Sequence, residues 1–96
     1  MTTLERIKQA IRRSHNKLDE DLQADIDACL ADLHAVGVIY AGEEDPLIFS
    51  AIKLYCRSVN TDDPATAAEW LRRYESQKSF LMMAEGYGRK ADDVDE

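Results

Sequence analysis

Residues 45–59 read DPLIFSAIKLYCRSV, and after the proline nearly every position is apolar. Asp45 before Pro46 is a typical helix start, because the carboxylate accepts from free N–H groups and proline suits the first helical position. The stretch therefore predicts a helix over about 46–58. Because its surface is apolar almost all round, we expect this helix at the centre of the fold.

Two helices are predicted before this stretch. Thr2 and Glu5 fit a capping box, and the apolar residues after them recur at helical spacing, which predicts a helix over about 3–13. A longer apolar stripe predicts a second helix over roughly 19–36, with Gly37 placed for a left-handed C-cap.

A fourth helix is predicted after the central one. Asp63 and Pro64 repeat the same start signal and open a helix over about 64–85, which Gly86 ends. The sequence shows no strand pattern of useful length and no internal repeat. The predicted fold is therefore all-α, a small antiparallel bundle of about four helices. We expect one domain over residues 1–86, and a flexible acidic tail over 87–96.

Composition narrows the class of function. The chain has 96 residues, a formal net charge of -7 and a pI near 4.7. An acidic surface disfavours sequence-reading nucleic-acid binders, whose affinity depends on Lys and Arg neutralising phosphates. No stretch has signal-peptide or membrane-spanning length, so the expected location is the cytoplasm, without membrane contact. Cys29 and Cys56 lie inside helical apolar patterns, which favours buried, reduced thiols over a disulfide.

The sequence predicts no enzyme. His15 and His34 have no Cys or His partner at metal-ligand spacing, and no phosphate-binding loop or nucleophile motif is present. The acids of the second helix lie off its apolar stripe, where they are typical of a solvated surface. We expect no catalytic residue, no metal site and no cofactor.

Charge is segregated along the chain. Residues 1–17 carry five Lys or Arg against one Glu, whereas residues 18–45 carry nine Asp or Glu and no Lys or Arg. One interpretation is that these charges neutralise each other within one molecule. The other is that opposite faces of different copies meet head to tail. The candidate interface residues on these segments are Arg12, Arg13, Asp25 and Asp32.

The end of the fourth helix carries more apolar side chains than one stripe needs. The main stripe comprises Ala67, Trp70, Leu71, Tyr74 and Leu81. Phe80 and Met83 project about 100° or more from its centre, and Met82 and the turn containing Tyr87 follow. Either a partner covers this end, or the first helix or the tail does. Phe80, Met83 and Tyr87 are candidate interface residues.

Three segments together resemble the small head-tail connector proteins of long-tailed bacteriophages, also called phage DNA-packaging proteins. They are LERIKQAIRRSHNKLDEDLQADIDACLADL, DPLIFSAIKLYCRSV and AAEWLRRYESQKSFLMMAEGYG. The match runs over about residues 4–88. It departs from the family at VNTDD, residues 59–63, where relatives commonly carry an aromatic residue and glycine, so we expect a different loop there.

The resemblance implies a structural subunit without catalysis or cofactor. It implies a homo-oligomeric ring, expected to be dodecameric, that forms beneath the portal protein after the genome is packaged. The ring extends the DNA channel, genomic DNA passes through it without sequence-specific binding, and it receives the next head-completion or tail protein. The expected location is then the head-tail junction of the virion, and the cytoplasm of the bacterial host before assembly.

Lys53 and Arg57 form a narrow basic stripe on the otherwise apolar central helix. Their aliphatic stems can be buried while their charged groups reach water or the acids of the second helix. Alternatively, the stripe faces a neighbouring subunit in a ring, which makes both residues interface candidates.

Two other functions fit a small helical bundle. A DNA-binding helix-turn-helix regulator needs a basic recognition helix with a helix before it, but the basic helix over 3–13 comes first in the chain. The other alternative is a generic cytoplasmic adaptor that binds a partner helix in an apolar groove.

Overall fold

The computed structural model describes residues 2–11, 19–38, 42–43, 45–84 and 86–87. In these residues it has four helices and no strand: α1 (Thr3–Ile11), α2 (Asp19–Ala35), α3 (Pro46–Val59) and α4 (Pro64–Met83). The predicted all-α bundle is confirmed. Arg12 and Arg13 lie outside the described residues, as does the predicted tail from residue 88 onward. No described helix is long and apolar enough to cross a membrane.

The helices begin where the sequence predicted. The Thr2 hydroxyl accepts from the Glu5 N–H at 3.1 Å, and Glu5 Oε1 accepts from the Thr2 N–H at 2.8 Å, which completes the capping box. Asp45 Oδ2 accepts from the N–H groups of Leu47 and Ile48 at 3.0 and 3.3 Å. These caps are local, so the sequence alone was sufficient to locate them.

The C-terminal ends of α2 and α4 differ. Gly37 has a φ of 92°. The Val38 N–H donates to the Leu33 carbonyl at 2.9 Å and the Gly37 N–H to the His34 carbonyl at 3.0 Å, a Schellman motif that confirms the predicted cap. In contrast, α4 ends at Met83, two residues before the predicted end, because the next residue is extended, with a ψ of 134°.

Sequential helices run antiparallel. Arg6 lies over the Phe49 ring at 3.8 Å and Arg57 donates to the Ala10 carbonyl, so α1 runs alongside α3 in the same direction. Gln77 near the end of α4 donates to the carbonyl of Leu47 at the start of α3, so these two helices are antiparallel. The up-down order follows from the short connections between helices.

The core forms around α3, which packs against all three other helices, as predicted. It contributes Ile48, Ala51, Ile52 and Cys56 to the buried apolar cluster. The other members are Ile7, Ile11, Leu22, Ile26, Cys29, Leu33, Val38, Tyr74 and Leu81. Both cysteines are buried and neither is in a disulfide, as the sequence predicted.

The buried stripe of α4 is narrower than the sequence predicted. Tyr74 and Leu81 are buried, Trp70 is half-buried, and Leu71 is 44% exposed. Because α4 packs mainly on α3, only one side of it is covered. Leu71 lies at the edge of that side and remains largely in solvent.

Candidate subunit interface

The outer end of α4 presents large apolar side chains to solvent. Phe80 is 55% exposed and Met83 is 85% exposed. They are neighbours on the helix surface, three residues apart. Met82, at 44% exposed, lies on the other flank of α4. The surplus of apolar residues read from the spacing is therefore present in the folded chain.

The start of α3 extends this exposed apolar region. The hydrogen bond from Gln77 Nε2 to the Leu47 carbonyl, at 3.3 Å, places Leu47 beside the turn of α4 that leads to Phe80. The Leu47 side chain is itself 37% exposed. We call Leu47, Phe80 and Met83 the apolar patch. Sequence reasoning missed Leu47, since its exposure depends on how α4 crosses α3.

Tyr87 fixes the end of α4 against the start of α3. The Tyr87 O–H donates to the Asp45 carboxylate, 2.9 Å from Oδ2 and 3.1 Å from Oδ1. This hydrogen bond to the carboxylate raises the pKa of Tyr87 above its ordinary value. Gly86, with a φ of 90°, supplies the turn. Asp45 therefore caps α3 and also holds the turn after α4, beside the apolar patch.

Arg57 makes its contacts within its own molecule. Its Nη2 donates to the carbonyl of Ala10 at 3.2 Å, and its guanidinium lies 4.8 Å from the centre of the Trp70 ring. The Ala10 carbonyl is in the last turn of α1, where carbonyls lack partners within the helix. Arg57 thus joins α1, α3 and α4. The sequence led us to expect water or the acids of α2 as its partner, and the structure gives a carbonyl and an indole instead.

Lys53, one turn earlier on α3, is half-buried. Within the part of the chain that the structure describes, its ammonium has no ion-pair partner. Its role in an interface stays a prediction.

Asp32 joins α2 to α4. Its Oδ2 accepts from the Tyr74 O–H at 2.6 Å and from Lys78 Nζ at 2.9 Å. These two hydrogen bonds lower the pKa of Asp32, and the carboxylate in turn raises the pKa of Lys78. We had interpreted the acids of α2 as a solvated surface. The Asp32 side chain is 41% exposed, but it also joins two helices, because Tyr74 and Lys78 are spaced four residues apart on α4 and reach the same oxygen.

The Cys29 thiol also belongs to this cluster. Its Sγ lies 3.9 Å from the Tyr74 hydroxyl oxygen, to which it can donate weakly. Burial raises the pKa of Cys29 to about 12. Burial and the Asp32 carboxylate also raise the pKa of Tyr74. Neither group is ready to ionise, so the cluster stabilises the fold and offers no activated nucleophile.

Asp25 contacts the end of α3. Asn60 Nδ2 donates to Asp25 Oδ2 at 3.3 Å and to the Cys56 carbonyl at 2.7 Å. Asn60 is buried, and its amide oxygen has no hydrogen-bond partner among the described residues. This contact ties the middle of α2 to the C-terminus of α3.

Charge is partly neutralised within the molecule. Lys8 on α1 pairs with Asp19 at the start of α2 at 2.9 Å, with both side chains largely exposed. The remaining acids at the start of α2, Glu20 and Asp21, are exposed. Of the predicted interface residues, the structure brings Phe80, Met83 and Tyr87 to one end of α4. It bonds Asp32 and Arg57 to other helices of the same molecule.

No group of three or more His, Cys, Asp or Glu side chains in the described ranges is placed to hold a metal ion. Comparison with protein-family models, with curated proteins and with solved structures found no match.

Proposed function

We propose that this chain is a structural subunit of the ring that joins head to tail in a tailed bacteriophage. The observation that carries the proposal is the apolar patch, where Phe80 and Met83 are 55% and 85% exposed beside Leu47. Grouped, exposed apolar side chains are typical of surfaces that contact other proteins. The expected partners are further copies of the chain, the portal protein, and the next head-completion or tail protein.

Two features of the sequence support this function. The resemblance to head-tail connectors covers about residues 4–88, and it implies an all-α subunit, with which the four helices are consistent. The net charge of -7 suits a channel through which duplex DNA must slide, because an acidic protein does not neutralise phosphates. The chain would reside in the host cytoplasm before assembly and at the head-tail junction afterwards.

The proposal can be tested by mixing the purified chain with the portal protein encoded in the same phage genome. We expect electron microscopy to show an added ring beneath the portal. Phe80→Ser with Met83→Ser should abolish that ring while leaving the helical circular dichroism unchanged, because both side chains are largely outside the core. Met82→Ser is the matched control on the other flank of α4, and it should assemble normally.

Failure of the wild-type chain to bind the portal would contradict the proposal. Sub-micromolar binding of duplex DNA near physiological salt would instead favour the helix-turn-helix regulator. Loss of the helical signal in the double variant would show that these side chains belong to the core. The position of the gene among portal, capsid and tail genes is an independent check.

A further inference from the structure

We infer that the outer face of α4 packs on the outer face of α2 in a second copy of this chain, with the two helices parallel. The inference rests on the proposed function, because it names the two surfaces by which neighbouring subunits of the ring would meet. The surfaces are defined by exposure, by the order of charged and apolar residues, and by their spacing.

The outer face of α4 lies opposite its buried residues Tyr74 and Leu81. It comprises Ala68, Arg72, Ser76, Ser79 and Met83, all of them exposed. The two serine side chains in the middle of this face are small, so another helix can approach closely there. A cation lies toward the start of α4, and the apolar Phe80 and Met83 lie at its end.

The outer face of α2 is a stripe of alanines with acids at one end. Ala24, Ala28, Ala31 and Ala35 are all exposed. An alanine side chain has no polar group to desolvate and little conformational entropy to lose. Met83 and Phe80 of another copy can therefore pack on this stripe. Glu20 and Asp21 are exposed in the first turn of α2 and complement Arg72 in charge.

Spacing determines the direction of the contact. Arg72 and Met83 are eleven residues apart, as are Glu20 and Ala31. Each pair spans about 17 Å along its helix. A parallel arrangement therefore puts Arg72 beside Glu20 when Met83 lies on Ala31. An antiparallel arrangement would press Met83 against the acids and desolvate them without a partner.

Arg72 is available for this contact. In the free chain its guanidinium pairs with Glu69 at 2.6 Å, and the Arg72 side chain is 70% exposed. Such exposed pairs within a helix contribute little stability. A guanidinium has five N–H donors, so Arg72 can keep its pair with Glu69 and still donate to a second carboxylate.

Both faces lie outside the contact between α2 and α4 within one molecule. Asp32 and Lys78 join the flanks of α2 and α4 that face each other. At 100° per residue, Met83 lies about 140° around α4 from Lys78, and Ala31 lies about 100° around α2 from Asp32. The outer face of α4 in one copy can therefore contact a second copy, while the outer face of α2 in the same copy contacts α4 of a third.

The direction also fits a ring. Within one chain, α2 and α4 run in the same direction. Asp25 on α2 contacts Asn60, just before α4 begins, and Asp32, later on α2, contacts Lys78, later on α4. A parallel contact then keeps every copy in the same orientation. A contact between two different faces adds copies head to tail, and it closes into a ring when the rotation between copies allows.

Cysteine cross-linking of the chain alone tests this contact. The native Cys29 and Cys56 are buried, so introduced cysteines report selectively. We expect Ala31→Cys mixed with Met83→Cys to form a disulfide-linked dimer under mild oxidation, whereas neither variant does so alone. The double variant should give a ladder of multimers.

Three results would overturn the contact. Dimers of Met83→Cys alone would indicate a symmetric α4 contact. Cross-linking of Met83→Cys to Glu20→Cys, and not to Ala31→Cys, would indicate the antiparallel arrangement. A chain that stays monomeric in sedimentation up to about 1 mM would exclude any useful self-contact.

Charge exchange provides a second measurement. Arg72→Glu should weaken self-association at least about tenfold, and Glu20→Lys with Asp21→Lys in the same chain should restore it. If self-association stayed weak in the chain that carries all three substitutions, the charge pairing would be contradicted. Cross-linking without portal binding would contradict the connector function alone, while portal binding without the Ala31–Met83 cross-link would overturn the contact alone.

Discussion

At the scale of single residues, Arg57 explains how a positive charge is kept on the most buried helix. Its stem lies between helices, its guanidinium stacks on Trp70, and its Nη2 satisfies the Ala10 carbonyl. An arginine over an indole is typically worth about 0.5–1 kcal/mol at accessible sites. Reversing this charge would therefore disturb the fold, so Arg57 is a poor position at which to test assembly.

The Tyr74 hydroxyl should make a measurable contribution to stability. It is buried and donates to the Asp32 carboxylate at 2.6 Å. Tyr74→Phe should lower the free energy of unfolding by about 2 kcal/mol near neutral pH, as is usual for a hydrogen bond to a charged group. Tyr55→Phe is the matched control, since the Tyr55 hydroxyl has no partner among the described residues. Urea unfolding measures both.

The effect of Tyr74→Phe should depend on pH. Hydrogen bonds from Tyr74 and Lys78 hold the pKa of Asp32 below its ordinary value of 3.8. The stability that Asp32 contributes is therefore complete above 3.8 and is lost as the pH falls through the lowered pKa. The difference between wild type and Tyr74→Phe should shrink in acid. A difference that stays constant while acid protonates Asp32 would show that the Asp32 charge is not involved.

At the scale of elements, the two aspartate caps should differ in their contributions. Among the described residues, Asp63 accepts from Thr66 alone, whereas Asp45 accepts from two N–H groups and from the Tyr87 O–H. Asp63→Ala should cost about 1 kcal/mol, a typical value for an N-cap. Asp45→Ala should lower the free energy of unfolding by more than Asp63→Ala does. That extra loss should disappear in a Tyr87→Phe background.

A double-mutant cycle in chemical denaturation measures this coupling. If Asp45→Ala cost the same with tyrosine or phenylalanine at position 87, the turn after α4 would be independent of the α3 cap. Equal costs for Asp45→Ala and Asp63→Ala in the native background would also contradict the expectation.

The elements were predictable from the sequence where their signals are local. The capping box at Thr2, the Asp-Pro starts and Gly37 each act within a few residues, so they fix the ends of helices without tertiary information. Leu71 was misplaced because helical spacing shows which residues share a face, but not how wide a face the neighbouring helix covers. The partners of Asp32 and Arg57 are more than forty residues away in the chain, and no spacing rule reaches that far.

The residues of the candidate interface also divide into those with local signals in the sequence and those whose place depends on packing. Phe80 and Met83 were found from the sequence because their angular offset is a property of α4 alone. Leu47 was missed because its place in the apolar patch requires the crossing of α3 and α4. The acids of α2 looked alike in sequence, and only packing distinguishes Asp32, which accepts from Tyr74 and Lys78, from the exposed Glu20 and Asp21.

At the scale of the whole molecule, α3 connects all parts of the core, so unfolding should be a single cooperative event. Cys29 on α2 and Cys56 on α3 are both completely buried in that core. Burial raises the pKa of Cys29 to about 12, so its thiolate is scarce while the chain is folded. Both thiols should resist alkylation in the native chain and become reactive together at the global unfolding transition.

Alkylation across a urea series, followed by mass spectrometry of the peptides, measures each thiol separately. Labelling of Cys29 at a lower urea concentration than Cys56 would show that α2 detaches first, and would contradict a single transition. The free energy of unfolding from circular dichroism provides the reference.

The directions of α1 and α4 have a practical consequence for labelling. Because α1 runs with α3 and α4 runs against it, Thr2 and Tyr87 both lie toward the end of the bundle where α3 begins. A fluorophore attached at position 2 or position 87 would therefore crowd the apolar patch. The turn between α3 and α4 is at the far end, and an epitope inserted between Thr61 and Asp62 should leave assembly undisturbed.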